Sequence, residues 1–235
     1  MTSEPLSGRL AIVTGASGNL GPVWIDALQG AGARVVGVDL RPEDGVLEAD
    51  VTDRASLVRV LEQTGPPAVL VNNAGIDAPP GGDGGDFMRT LEVNVTGLYN
   101  ATQVFGEAMC DAGGGSIVNI GSLYASIAPI PSLYDHIDPQ FTKPAAYGAS
   151  KAAVVNLTKY FARLWGPRGV RVNTLSPGGV RGGQDGEFVR KYSERVPLGR
   201  MAEPGDLVGA LVFLASDASA YVTGHELRVD GGFTA

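Results

Sequence analysis

The chain of 235 residues is poor in the residues that make staples and metal centres: it has one cysteine, Cys110, and two histidines. One thiol cannot close an intrachain disulfide, and this set cannot build a multi-ligand thiolate zinc site. No stretch approaches the roughly 18 apolar residues of a membrane span. Residues 1–8 lack both the basic start and the apolar centre of a signal segment. Positive charge is in deficit, with 18 Lys and Arg against 25 Asp and Glu, a net −7. That excludes a generally basic binder of nucleic acid or anionic membrane, though not a local basic patch. The expectation is a cytoplasmic protein with neither as a partner.

What is present is a core and many turns. Apolar residues make up 44% of the chain, enough to bury a sizeable interior. The 34 glycines are about twice the average share, so tight turns or close backbone approaches must be common. The length suits one domain, 1–235, with two small ones as the alternative.

Five short apolar runs read as buried strands: Leu10-Ala11-Ile12-Val13, Val35-Val36-Gly37-Val38, Val69-Leu70-Val71, Ile117-Val118-Asn119-Ile120 and Val172-Asn173-Thr174-Leu175. They are continuous rather than alternating, as when helices cover both sheet faces. Val46-Leu47-Glu48 and Leu227-Arg228-Val229 are weaker candidates. Helical patterns lie between them. Val95, Leu98, Thr102, Phe105 and Met109 share one helical face. A second helix is expected from Ala145 to Trp165, with Pro144 in its first turn and Gly166-Pro167 as its stop. Leu207, Leu211 and Leu214 line a third. Alternating strands and helices predict an α/β fold, a doubly wound parallel sheet of about seven strands. Residues 79–85 and 178–186 read as glycine-rich loops.

The segment Val13-Thr14-Gly15-Ala16-Ser17-Gly18-Asn19-Leu20-Gly21 follows the first strand and opens the first helix. Glycines there let backbone N–H groups approach a phosphate at a helix N-terminus. Asp39 ends the second strand, where a carboxylate can accept both hydroxyls of an adenosine ribose and repel a 2′-phosphate. A Rossmann-type site for NAD, in preference to NADP, is expected. Arg41 is either a solvated loop residue or a reason to consider NADP.

Tyr147 and Lys151 stand four apart on one helical face. A phenol titrates near 10, and lowering it to about 7 takes roughly 4 kcal/mol at about 1.4 kcal/mol per unit. A nearby ammonium favours the phenolate, and a positive nicotinamide ring can add the rest.

Thr14-Gly15…Gly21, Asn72-Asn73-Ala74-Gly75, Asn94, the strand ending Gly121-Ser122, Tyr147…Lys151, Ser176-Pro177-Gly178 and Val229-Asp230-Gly231-Gly232 together resemble the short-chain dehydrogenase/reductase family, compact branch, over nearly the whole chain. The resemblance implies hydride transfer between a nicotinamide and a secondary alcohol or its ketone. Tyr147 would be the general acid–base and Lys151 would lower its pKa and hold the nicotinamide ribose. Ser122 would hydrogen-bond the substrate oxygen, and Asn94 would position a water linking Lys151 to solvent. Gly15, Ser17, Asn19, Leu20 and Gly21 would contact the cofactor, with Asp39 and Leu40 at the ribose. Asp50 and Val51 would flank the adenine. Asn73, Ala74 and Gly75 would lie at the cofactor's centre, and Pro177, Gly178 and Val180 at the nicotinamide. The local alternatives are a helix cap for Asp50, a helix bend for Asn94 and backbone partners at the sheet end for Asn72 and Asn73. The resemblance also implies a homo-oligomer, dimer or tetramer, built on the helices around 93–111 and 145–165.

Three features depart from the family pattern. Asn19 replaces a usual glycine and is expected to tolerate a left-handed backbone. Ser122 and Tyr147 are 25 residues apart, so an insertion within about 123–146 starts and ends at catalytic positions, as a substrate lid or a subunit contact. Gly182 stands where a threonine often holds the nicotinamide carboxamide. Ser176 or backbone groups are the expected substitutes, and about 178–200 reads as a flexible substrate loop. Asp135, His136, Asp138 and Gln184 would suit a polyhydroxylated substrate or could be merely solvated. The alternatives to a dehydrogenase are a sugar-nucleotide epimerase or dehydratase, and a non-catalytic NAD-sensing module.

Overall fold

The computed structural model describes residues 4–78 and 86–235. The glycine-rich stretch 79–85 therefore lies outside the described residues. Seven strands, β1 (Leu10–Thr14), β2 (Arg34–Asp39), β3 (Val46–Glu48), β4 (Val69–Asn72), β5 (Gly115–Ile120), β6 (Val170–Pro177) and β7 (Glu226–Val229), form one sheet. Its order is β3-β2-β1-β4-β5-β6-β7 and every pairing is parallel. The two weaker sequence candidates are the edge strands. They are short and half-exposed, which is why their pattern was faint.

Successive strand residues point to opposite faces. Leu10, Ile12, Leu70 and Ile117 enter one apolar cluster, beneath α2 (Arg54–Thr64), α4 (Leu98–Asp111) and α5 (Ala145–Trp165). Ala11, Val13, Val71 and Val118 enter the other, beneath α1 (Gly21–Gly30) and α7 (Val208–Ala215). Cys110 is a buried free thiol in the first. Helices on both faces leave the carboxyl ends of the strands open. The strand order reverses between β1 and β4, where a crevice forms in folds of this kind.

Two helix boundaries differ from expectation. Asp53, not Asp50, caps α2 by accepting from the Ala55 N–H. Asp50 instead turns its carboxylate to the Thr52 N–H and hydroxyl at 2.8 and 2.7 Å. Ahead of α4, the short α3 (Phe87–Leu91) runs through a π-turn at Glu92–Gly97. The turn shifts the helical phase, so Leu98, Thr102, Phe105 and Met109 are buried but Val95 is only half-buried.

Part of the expected substrate loop carries regular structure. Residues Gly186–Ser193 form α6, capped by Asp185, which accepts from the Phe188 N–H. Arg181 N–H donates to the Ala202 carbonyl and Ala202 N–H to the Gly179 carbonyl, which pins the segment before it. A third apolar cluster joins Leu133 and Tyr134 of the insertion to Tyr192 of α6 and, at its edge, Phe233. The insertion and the loop are thus one layer over the end of the sheet.

Gly106 of α4 tests the packing under that sheet. A Cβ there would come within 2.3 Å of the Trp165 ring. Alanine normally gains about 1 kcal/mol over glycine in a helix, but an overpacked core costs about 1–3 kcal/mol or more. Gly106→Ala should therefore destabilise the protein by about 2 kcal/mol, read as a lower urea midpoint. A raised midpoint would mean that the α4–α5 contact is looser than described.

Candidate active site

A cleft of about 1140 Å³ runs along the carboxyl ends of the strands, from the glycine turn to the insertion. Single-ligand pockets are usually about 300–1,000 Å³, so there is room for a dinucleotide and a small substrate together. Gly15 sits at a close approach of two backbones. Its φ is +66°, and a Cβ there would meet Ala74 Cα at 2.6 Å, so only glycine fits. No non-glycine residue among those described has positive φ. Asn19 thus keeps an ordinary backbone, and the left-handed conformation expected of it is not used. Gly21 is needed for another reason: a Cβ there would lie 2.1 Å from the Ala16 carbonyl oxygen.

Polar groups fix the two sides of the turn. The Thr14 hydroxyl accepts from the N–H groups of Asn73 and Ala74 at 3.1 and 3.2 Å. The Asn73 carboxamide donates to the Gly15 carbonyl at 2.8 Å and accepts from the Trp24 indole at 2.8 Å. Asp39, its side chain 13% exposed, accepts from the Ser17 and Arg41 N–H groups at 3.1 and 3.2 Å. The Arg41 guanidinium donates to the Ser17 carbonyl at 3.0 Å beside the turn, while its side chain stays 72% exposed, as a solvated loop residue would. These are the features a dinucleotide needs: a cradle that a side chain would fill, a helix N-terminus, and a carboxylate at the next strand end.

Most of the expected cofactor residues line this cleft: Gly15, Asn19, Leu20, Asp39, Leu40, Asp50, Val51, Asn73, Ala74, Gly75, Pro177, Gly178 and Val180. Ser17 and Gly21 do not; they shape the turn from behind. Ser176 is no substitute for the missing threonine, because its buried hydroxyl donates to Glu226 at 2.8 Å.

Ser122, Tyr147 and Lys151 meet in the same cleft. The Lys151 ammonium donates to the Ile120 carbonyl at 2.8 Å and lies 5.6 Å from the Tyr147 ring centroid. Burial pushes its pKa down to about 8. Burial and then the Asp77 charge push the Tyr147 phenol up, while a hydrogen bond with Ser122 pulls the other way. Burial dominates at both residues, so the acidified phenol expected from the YxxxK spacing calls for positive charge beyond the chain's own groups, such as the nicotinamide ring.

Asn94 sits in the π-turn, buried behind the cleft rather than lining it. Its carboxamide accepts from the Ile76 N–H at 2.7 Å and donates to the Ile76 carbonyl and the Ser150 hydroxyl at 2.9 and 3.0 Å. Ser150 in turn donates to the Tyr147 carbonyl at 2.7 Å. One side chain thus ties the loop after β4 to the helix that carries Tyr147 and Lys151.

On the substrate side, Gln184 lines the cleft, whereas Asp135, His136 and Asp138 do not. Asp135 pairs with Lys191, and His136 bonds Asp185 at 2.9 Å. They stitch the insertion to α6. Sequence reasoning missed Asp77, Lys143, Tyr134, Ile137 and Phe188, which also line the chamber. The available signal was proximity: Asp77 follows the Asn-Asn-Ala-Gly segment by two residues and Lys143 precedes Tyr147 by four. Among the described residues, no group of three or more His, Cys, Asp or Glu is placed to hold a metal ion. Among the described residues, no helix is long and apolar enough to cross a membrane.

Comparison with known proteins agrees with this geometry. A family model described as enoyl-(acyl carrier protein) reductase matches residues 23–234. The chain is 36% identical over 259 residues to the D-threitol dehydrogenase of Mycolicibacterium smegmatis, covering 97% of this chain and 94% of that one. A short-chain dehydrogenase of Leptospira borgpetersenii, solved with bound NAD+, superposes with a TM-score of 0.88 at 35% identity, over 100% of this chain and 96% of that one. A gluconate 5-dehydrogenase of Burkholderia cenocepacia, solved with NADP and tartrate, gives 0.86 at 31% identity, over 99% and 97%. The dehydrogenase reading therefore stands over the epimerase and sensor alternatives. With its sheet order, its cleft at the strand reversal and these relatives, the chain belongs to the short-chain dehydrogenase/reductase family, as an oxidoreductase of alcohol and carbonyl groups that uses a nicotinamide cofactor.

Proposed function

We propose that the cofactor is NAD(H), that the substrate is a polyhydroxylated secondary alcohol or its ketone, and that Tyr147, Lys151, Ser122 and Asn94 carry out the chemistry. The observation that supports this most is one continuous cleft with Asp39 at one end and Tyr147, Lys151 and Ser122 at the other. When bound, the nicotinamide accepts or supplies the hydride, and in its oxidised form it adds a positive charge. Tyr147 takes the hydroxyl proton in oxidation and returns it in reduction. Ser122 donates to the oxygen as charge develops on it. Lys151 holds the nicotinamide ribose and electrostatically favours the phenolate. Asn94 acts as a positioning residue, by holding Ile76 and Ser150 in register. The relatives named for threitol and gluconate support a substrate rich in hydroxyls. The insertion and α6 act together as its cover. The family's α4–α5 pairing across a two-fold axis suits the exposed Tyr160 and Leu164 on α5, and we propose a homo-oligomer on that face.

Tyr147→Phe removes the proton carrier and little else. Turnover should fall about 10²–10⁴-fold, while NAD(H) affinity by fluorescence titration stays within about threefold. Near-full activity in the variant would sink the mechanism.

Asp39 supports NAD over NADP because its carboxylate repels a 2′-phosphate and bonds the ribose hydroxyls. Charge-assisted hydrogen bonds are worth about 1.5–3 kcal/mol. Asp39→Ser should therefore move the NAD/NADP ratio of kcat/KM about 10–100-fold toward NADP, with Arg41 at hand for the phosphate. An unchanged ratio would place cofactor choice elsewhere.

Lys151 carries a stability cost of definite sign. Its pKa in the folded protein is about 8, against an ordinary 10.5. Between those values the unfolded chain binds the extra proton, so this contribution to stability rises with pH, and below pH 8 the full cost of about 3 kcal/mol applies. Lys151→Met removes that cost and loses one hydrogen bond of about 1 kcal/mol. The variant should be more stable than the parent at pH 7 by about 2 kcal/mol in urea unfolding. That gain should disappear as the pH approaches 10; a gain independent of pH would contradict the assignment.

A further inference from the structure

The chamber above Tyr147 contains an ion pair that hydride transfer does not require. Asp77 leaves the loop after β4, and Lys143 stands near the end of the insertion. The Lys143 ammonium donates to the Asp77 carboxylate. It also lies 5.3 Å from the centroid of the Tyr147 ring and 5.9 Å from that of Tyr124. The Lys143 side chain is only 11% exposed and that of Asp77 37%, and both line the cleft. Asp77 adds a negative charge felt at Tyr124, Tyr134, Tyr147 and Lys151.

A pair placed there offers a carboxylate acceptor next to an ammonium donor. A hydroxyl group is both donor and acceptor, so it completes such a pair without breaking it. A carboxylate can only accept, and would have to displace Asp77 from Lys143. Charge points the same way. Among the described residues on the substrate side, Lys143 is paired with Asp77, Asp185 already bonds His136, and Lys151, which has no ion-pair partner and donates to the Ile120 carbonyl, is the cation that the redox reading gives to the nicotinamide ribose. Arg89 in the same cleft is held by Glu92 at 2.7 Å. No positive charge is left over to hold an acid.

We propose that Asp77 and Lys143 are the specificity pair of this enzyme, gripping the hydroxyl on the carbon next to the reacting one, and that the substrate is an uncharged polyol or its ketose rather than a sugar acid. This rests on the redox reading above. The hydroxyl donates its proton to Asp77 and accepts from Lys143, which fixes the neighbouring carbon over Tyr147. The reading explains why the pair joins the insertion to the loop after β4: the site is complete only when both walls are present.

The test uses the intact enzyme with NAD+ and two pairs of probes. 2,3-Butanediol and 2-butanol differ only in the neighbouring hydroxyl, and D-threitol and D-threonate differ in charge. The parent should favour the diol over 2-butanol at least tenfold in kcat/KM, mainly through KM, and threitol over threonate at least as strongly. Lys143→Met and Asp77→Asn should each reduce the diol preference below threefold, and Lys143→Arg should restore much of it. Thermal melts identify variants that do not fold, for which Lys143→Gln serves instead. An equal loss on both alcohols would make the pair merely structural and overturn the proposal. So would an unchanged preference in the variants, or threonate outpacing threitol. Activity that survives Tyr147→Phe would instead overturn the redox reading beneath it.

Discussion

The site depends on the separation of β1 and β4 at the top of the sheet. These strands are neighbours up to Thr14 and Asn72, then part to opposite sides of the cleft. What holds the parting at a fixed width is the Thr14 hydroxyl under two N–H groups and the Asn73 carboxamide across to Gly15. The same constraint makes Gly15 irreplaceable, since the Ala74 backbone fills the place of a Cβ. A turn held this close to a second strand presents its N–H groups in a rigid array. A dinucleotide then binds a site whose backbone has already been ordered, and the ordering cost is not drawn from binding.

The catalytic end is built by a second set of constraints, on the other side of β4. Asn72 is buried and donates to Thr102 and Asn119 at 2.9 and 2.8 Å. Asn119 continues to Thr158, and Thr158 to Thr174. Asn72 therefore serves this side-chain network between β4, α4 and β5, not the sheet-end backbone groups expected of it. Its own carbonyl oxygen is left without a partner, the one such side-chain atom among the described residues. Apart from that one oxygen the chain is satisfied, and such a network in a low-dielectric interior specifies one arrangement strongly. Here it fixes the register of α5 against β5 and β6, and so the places of Tyr147 and Lys151.

The fold was legible because its signals are local. Continuous Val, Ile and Leu runs announced the five inner strands, and the order of strands and helices announced the parallel sheet. That Ser122, Tyr147 and Lys151 share one cleft was legible because Ser122 follows the end of a strand and Tyr147 and Lys151 lie in the first two turns of α5. What was not legible was long-range. The Asp77–Lys143 contact spans 66 residues and the Asp135–Lys191 contact 56, and neither leaves a periodic trace. The order in 186–193 was hidden for the same reason. That segment is rich in charge and flanked by glycine, and it settles only against the rings of Tyr134 and Phe233. Asn19 failed differently: the sequence substitution was read as a backbone question, but the left-handed position in the turn is Gly15.

Tyr147 and Lys151 are displaced from their ordinary pKa values in opposite directions by one cause. Burial disfavours the phenolate and the ammonium alike, so the protein holds both closer to neutrality than water would. That is an unfavourable pair to assemble and a useful one to own. A proton carrier must take up the hydroxyl proton as the neighbouring carbon gives up its hydride, and return it in the reverse direction. A phenol that is too acidic would stay ionised, and one that nothing could acidify would never accept. With the chain's own groups holding it up, the phenol becomes acidic only when positive charge arrives beside it, and an oxidised nicotinamide brings such charge. In the proposed mechanism, proton transfer would thereby be tied to cofactor state by electrostatics.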